Sequence, residues 1–365
     1  MAGYGGTRPL FIYNENMKQR INYPAVYMEN GYVNIPGFRE FVEEHNIFIT
    51  FIIGGRGTGK TYTSLKDIAV EHPAGQFMLV RRTQTQCDIL SNNDFSPFKS
   101  LNNDMGIFIG TEPIPAVANV SRFTRDDVTI GYLAALSTFK NARGFDGSEI
   151  TDVIYDECIP EKHERLIKNE AEAFLNMLET IGRNREIKGG KPLRVWCLAN
   201  SNDLGNPLFM YLGLVATAEK MREKHREIYA DFKRGYMIVL LDASPISDAK
   251  NQTALYRLTS GSDFQRMAIS NDFVQSEIMN IKPQQLKQYK PLVKVGEIVV
   301  YKHKASKTYY VTTHASGRYE DMGTGETSFK RFNLKYYYLW DAYYDMRVIF
   351  ENYYVERLFV NICKT

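Results

Sequence analysis

Residues 46 to 61 read NIFITFIIGGRGTGKT, an apolar strand running straight into Gly54-x-x-x-x-Gly59-Lys60-Thr61. This constrains the fold tightly, because a phosphate loop has meaning only between a strand and a helix, and both flanks are present. The loop residues Gly54, Gly55, Arg56, Gly57, Thr58 and Gly59 carry backbone N–H groups that can wrap phosphate oxygens, the glycines permitting close approach. Lys60 then reaches the β- and γ-phosphates, and Thr61 ligates Mg2+. Leu65, Ile68 and Ala69 recur at near-helical spacing, which predicts a helix from Thr61 to about His72, stopped by Pro73. The implied ligand is a nucleoside triphosphate with its magnesium.

Further along, Val153-Ile154-Tyr155-Asp156-Glu157 is a short apolar strand ending in two carboxylates, and reads as a Walker B strand. Alone, such a pair is more often a solvated turn. Joined to a phosphate loop, Asp156 is expected to hold Mg2+ opposite Thr61, and Glu157 to orient and deprotonate a water for attack on the γ-phosphate. The additional glutamate points to hydrolysis.

With 365 residues the chain can bury a large core and divide into two domains, and 44% hydrophobic residues make it globular. The four cysteines, at 87, 158, 197 and 363, form no Cys-x-x-Cys pair or zinc-spaced cluster, so packed, reduced thiols in a cytosol are expected. Neither a signal-peptide pattern nor an apolar run near ~18 residues is present, so a soluble protein without a membrane partner is expected. A net charge of +3 permits nucleic-acid binding through local patches without requiring it.

Other strands are legible at Phe77 to Val80, Val128 to Leu136, Val195 to Ala199 and Tyr236 to Leu241, the rhythm of an α/β fold with a mainly parallel sheet. Residues 1 to 45 lack sustained periodicity and read as an extension over the edge of the core. Ile167, Ala171, Phe174, Leu175, Leu178 and Ile181 form one helical stripe ended by Gly182, with Arg183 and Arg185 just beyond. Ala218 to Arg234 is highly charged and reads as a solvated helix. Short helical patterns around Gly261 and Ser262 suggest a linker. Glu297 to Tyr301 and Thr308 to Thr313 read as a hairpin, and Leu334 to Cys363 as an aromatic-rich helix or helix pair. The expected division is 1–245, a P-loop domain; 246–275, a helical linker; and 276–365, a C-terminal domain.

With these elements assembled, the chain resembles the genome-packaging motor ATPases of small, protein-primed tailed phages, whose motor is a terminase-like ring. The resemblance runs through most of residues 46 to 215 and rests on FIIGGRGTGK, FMLVRR, LSTFKNARGFDGSEITDVIYDECIPEK, LNMLETIGRNRE and CLANSNDLGNPLF. It implies ATP hydrolysis with Mg2+ in a homo-oligomeric, pentameric ring that drives double-stranded DNA through a portal into a procapsid, with a structural RNA in some members, in the host cytoplasm. It implies an arginine finger at Arg183, with Arg185 as rival, acting on the neighbouring subunit's nucleotide. Asn200 falls where the γ-phosphate sensor lies, although an Asn after a strand also commonly serves as a cap or turn. Arg143 aligns with a basic residue acting between subunits, and Lys162 with a DNA-facing lysine. The chain departs from the family at Thr83-Gln84-Thr85-Gln86, where a further basic residue is usual; Arg82 is the available substitute. The resemblance also implies a small α+β C-terminal domain like a ribonuclease-H-type nuclease without its metal ligands. Here the hairpin carries Lys and Tyr, and Asp341, Asp345 and Glu351 belong to the predicted helical tail, so no nuclease is expected.

Three other functions compete. A nuclease-bearing terminase would cut as well as package. A P-loop switch or kinase is disfavoured by the absence of an Asn-Lys-x-Asp motif and by Glu157, which suits water. A non-enzymatic nucleic-acid-binding module would use the nine aromatics between Tyr336 and Tyr354 to stack on unpaired bases.

Overall fold

A computed structural model describes the chain except for residues 1–10, 14–19, 115–118, 142–144, 161–166, 201–203, 205, 242–243, 245, 263–264, 266–279 and 364–365. It forms two compact units. One comprises Met1–Asn202 and Ala216–Asn271, the other Asp203–Val215 and Asp272–Thr365.

The first unit opens with β1 (Phe11–Tyr13) paired antiparallel to β2 (Arg20–Asn22), then α1 (Ile35–Glu44). The extension expected up to residue 45 therefore contains a helix. Asn34 caps it, its side chain accepting from the Gly37 N–H at 3.1 Å, and Ile35, Phe38, Phe41 and Val42 bury one face in the core.

Next come β3 (Ile49–Gly54), α2 (Lys60–Leu65), β4 (Gln76–Arg81), α3 (Gln84–Leu90), α4 (Lys99–Met105), β5 (Gly110–Pro113), β6 (Val120–Arg125), β7 (Val128–Ala135) and β8 (Ile150–Asp156). The helix after the phosphate loop continues beyond α2 as a π-helical segment, Lys66–Glu71, so the predicted helix is met in extent but not in winding. Beyond β8 lie α5 (Glu170–Gly182), β9 (Arg194–Ala199), α6 (Pro207–Leu212), which belongs to the second unit, α7 (Val215–Glu223), β10 (Ile228–Asp231), β11 (Tyr236–Leu241), α8 (Ile246–Asn251) and α9 (Ala254–Leu258). Ile167, the first residue of the predicted stripe, lies outside α5.

Among the described residues, nine strands form one sheet in the order β10-β11-β3-β9-β8-β4-β7-β6-β5. The inner pairs from β11 to β7 are parallel; β10, β6 and β5 add antiparallel edges. All six residues of β3 are buried, as a parallel strand covered on both faces requires. The charged stretch from 218 to 234 is not one helix. It divides into α7 and the edge strand β10, whose Ile228 and Ala230 alternate inward against β11. Of the short helical patterns expected around Gly261 and Ser262, α8 and α9 lie before Gly261, and most of the stretch that follows lies outside the described residues.

In the second unit, β12 (Tyr289–Val295), β13 (Ile298–His303), β14 (Tyr309–Thr312), β15 (Glu320–Asp321) and β16 (Val348–Phe350) form a five-stranded sheet among the described residues, in the order β15-β12-β13-β14-β16. The predicted hairpin is β13 and β14. The aromatic tail is more than a helix pair: α10 (Glu326–Lys335), α11 (Tyr338–Tyr344) and α12 (Tyr353–Cys363) are interrupted by β16, which pairs parallel to β14. Glu351 is thus not in a helix, and it accepts from the Thr312 hydroxyl at 2.6 Å.

Candidate nucleotide site

Register brings the motifs to one edge of the large sheet. Ile53 of β3 pairs with Ala199 of β9, and Leu198 of β9 with Asp156 of β8. The phosphate loop, the end of the Walker B strand and Asn200 therefore emerge side by side at strand C-termini, where open α/β sheets bind ligands. Asn200 is half-buried, one residue past β9.

Within the loop, Gly57 and Gly59 adopt φ of +74° and +80°, in the left-handed region where a side chain would be strained. Lys60, the first residue of α2, is buried and turned into the loop. Its Nζ donates to the Gly54 carbonyl at 2.9 Å, the Gly55 carbonyl at 2.8 Å and the Thr58 hydroxyl at 3.3 Å. Burial pushes its pKa down to about 7, against the opposing pull of the Asp156 carboxylate.

The Thr61 hydroxyl donates toward both carboxylate oxygens of buried Asp156, each at 3.0 Å. A hydroxyl and a carboxylate facing one another are the hard oxygen donors that suit Mg2+. Glu157 follows in a left-handed conformation, φ 56°, with its N–H donating to Asp156 Oδ1 at 3.1 Å. Its carboxylate turns to Arg81, whose Nη1 lies 2.9 Å from Glu157 Oε2 and 3.3 Å from Asp156 Oδ2. These are ion-pair approaches without hydrogen-bond alignment: Arg81 Nε and Nη1 are buried with no hydrogen-bond partner among the described residues. Sequence reasoning missed this arginine. The available signal was its place at the end of a strand neighbouring β8, where Val80 pairs with Tyr155.

Arg82, one residue past the end of β4, is turned into the core. Fully buried, its Nε and Nη2 donate to Glu170 at 2.7 and 3.1 Å, and Tyr155 donates to the same carboxylate at 3.0 Å. It cannot substitute for an exposed basic residue. Thr83 and Gln86, in the departing Thr-Gln-Thr-Gln stretch, form a capping box that starts α3.

The two candidate finger residues differ. Arg183, in the C-cap of α5 with φ 39°, donates to the Phe145 carbonyl at 2.7 Å while its side chain stays 48% exposed. Arg185 is spent within its own subunit, on the carbonyls of Ile150, Gly147 and Ser148 at 2.5, 3.1 and 3.1 Å. Lys162 and Arg143 lie outside the described residues. Among the described residues, no group of three or more His, Cys, Asp or Glu is placed to share a metal, and no helix is long and apolar enough to cross a membrane.

A strand, a glycine-rich loop and a helix, with β9 set between β3 and the carboxylate-bearing β8, define a P-loop nucleotide-binding fold. Residues 31–318 match the model of the Podovirus DNA encapsidation protein (Gp16) family, and the chain belongs to that family. It is similar to the DNA packaging protein of Bacillus phage B103, 28% identical over 232 residues, 62% of this chain and 64% of that protein. It also resembles that of Bacillus phage phi29, 27% identical over 230 residues, 62% of each. The match thus spans just under two thirds of these relatives' length. Among solved structures, a chain of the bacteriophage Phi-29 viral genome packaging motor assembly superposes with TM-score 0.58 at 19% identity, covering 93% of this chain and 99% of that one. The Phi-28 gp11 DNA packaging motor gives 0.55 at 20%, covering 89% and 97%. These structures share the fold.

Proposed function

We propose that this protein is an ATP hydrolase that drives double-stranded viral DNA into a procapsid. The observation that carries the reading is the Thr61 hydroxyl facing both oxygens of Asp156 beneath an intact phosphate loop, in a chain of this family. Loop amides and Lys60 bind the phosphates of ATP. Thr61 and Asp156 are the residues that would hold Mg2+, which when bound neutralises phosphate charge. Glu157 accepts the proton of the water that attacks the γ-phosphate, once its carboxylate has left Arg81. Asn200, between the two motifs, senses the γ-phosphate.

Arg183 is the better finger candidate because it is half exposed while Arg185 is occupied. A groove of 380 Å³ borders both arginines, lined also by Phe48, Leu178 and Leu193, with Ile187 84% exposed at its edge; a second copy of the chain in a ring, pentameric in this reading, would cover such a surface. Lys162 and Arg143 serve as the DNA-facing and intersubunit cations. The remaining partners are a portal, with a structural RNA possible in this class of motor, and the setting is the host cytoplasm. Function divides as 1–245, the ATPase; 246–275, a linker; and 276–365, a nuclease-like domain without catalytic carboxylates.

The test combines purified protein, procapsids, ATP and duplexes of unrelated sequence. The expected result is ATP hydrolysis with nuclease-protected DNA of every sequence, and loss of both in Glu157→Gln with ATP binding retained. Metal-dependent cleavage of the duplex would favour a nuclease-bearing terminase, and hydrolysis without protected DNA would overturn the translocase reading.

A further inference from the structure

Lys250 lies on α8, the first helix after the last strand of the large sheet. Its ammonium donates a hydrogen bond to the backbone carbonyl of Arg56, at the bend of the phosphate loop. A Cβ on Gly57 would come within 2.5 Å of Lys250 Nζ and 2.7 Å of its Cε, so the lysine tip lies directly over that glycine. The side chain is half-buried, and the buried Lys60 donates to the carbonyls of Gly54 and Gly55 on the same short loop, so two ammoniums and the Arg56 guanidinium belong to one segment. Burial also lowers the pKa of Lys250 itself.

Like charges drawn together at a half-buried loop repel, and a backbone carbonyl compensates an ammonium only in part. The arrangement becomes favourable when a multiply charged anion enters. Lys60 holds the carbonyls of Gly54 and Gly55 and Lys250 that of Arg56, the next residue, so the two ammoniums meet consecutive residues of the loop that wraps the phosphates. Resting on the nucleotide-site reading above, we infer that Lys250 is a further nucleotide-binding residue, exchanging the Arg56 carbonyl for the terminal phosphate of a nucleoside triphosphate. Triphosphate and diphosphate would then hold α8 differently, and α8 lies in the stretch of sequence that leads on to the second unit.

The test is the affinity of the full-length protein, with Mg2+, for a fluorescent non-hydrolysable ATP analogue and for fluorescent ADP. Lys250→Gln and Lys250→Met should bind the analogue about tenfold more weakly or worse, the loss of a charge-assisted contact, while ADP affinity changes less than about twofold. Lys250→Arg should keep the triphosphate preference. A lysine that merely braces the loop would give equal losses for both nucleotides or none, and either result overturns the inference. Binding of neither nucleotide by the unaltered protein would instead overturn the phosphate-loop reading, and this inference with it. Melting temperatures of the ligand-free variants separate a folding defect from a binding one, and Lys250→Met preserves the apolar stem should Lys250→Gln be unstable.

Discussion

Arg82 and Glu170 form a bidentate ion pair sealed from solvent, each side chain 1% exposed, where the end of β4 meets the start of α5. Paired, the charges compensate each other; with one removed, the other loses its counter-charge in a medium that solvates it poorly. Glu170→Ala should therefore destabilise the protein by about 3–5 kcal/mol in denaturant unfolding, and Tyr155→Phe by only about 1 kcal/mol. Replacing both Arg82 and Glu170 by Met should cost less than Glu170→Ala alone. An additive double variant would contradict the pairing.

The neighbouring arginine does a different job. Arg81 faces Glu157 and Asp156 together, so in the proposed mechanism Glu157 must leave this ion pair before it can take a proton. Arg81→Ala should raise ATP hydrolysis in the absence of DNA severalfold and flatten the response to added duplex. Steady-state phosphate release measures this, and a basal rate as low as that of Glu157→Gln would mean that Arg81 is needed for the chemistry itself.

Arg183 and Arg185 should separate cleanly. Arg185→Ala removes one donor from each of three carbonyls, of which that of Gly147 keeps the Ile150 N–H, and should lower the melting temperature, whereas Arg183→Ala should barely move it. In activity the order reverses: an arginine supplied to a transferring phosphoryl group is worth about 10³ to 10⁵ in rate. Arg183→Ala subunits mixed with Glu157→Gln subunits should regain ATP hydrolysis, since some interfaces then join an intact Glu157 to an intact Arg183. Absence of recovery despite confirmed co-assembly would remove Arg183 as a trans residue.

Lys60 gives a pH signature. Its ligand-free pKa, pushed down to about 7 by burial, lies far below the 10.5 of a solvated lysine, and phosphate charge restores the ammonium. Nucleotide binding at pH 8 should take up a proton, and affinity should fall as pH rises from about 7, because the ligand must then protonate the lysine it needs. Calorimetry in buffers of different ionisation enthalpy reads the uptake, which Lys60→Arg should abolish.

Much of the site was legible because the phosphate loop and the Walker B strand are local patterns, each fixed by residues within one turn or one strand. The boundaries of β11, Tyr236–Leu241, follow from a continuous apolar run between polar flanks. What escaped depends on partners distant in sequence. Arg81 is an unremarkable strand end until register sets it beside Asp156, and Lys250 a solvated-looking lysine until α8 lies on the loop. β10 was hidden because its four residues alternate too briefly to outweigh the charged helix before it, and β16 because Val348–Phe350 sits inside an aromatic run that suits a helix equally well. For α1, the spacing of Ile35, Phe38, Phe41 and Val42 was a usable signal, obscured by Pro36 and Gly37 in its first turn.

The backbone at Glu157 has a consequence for how this protein can change. A side chain held at φ 56° costs of order 1 kcal/mol that glycine would not incur. A library screened only for heat tolerance should therefore enrich Glu157→Gly, a substitution that relaxes the chain and removes the proposed base in the same step. The residue on which the proposed turnover would depend is one the scaffold alone would discard, so thermostability and that turnover would pull this position in opposite directions.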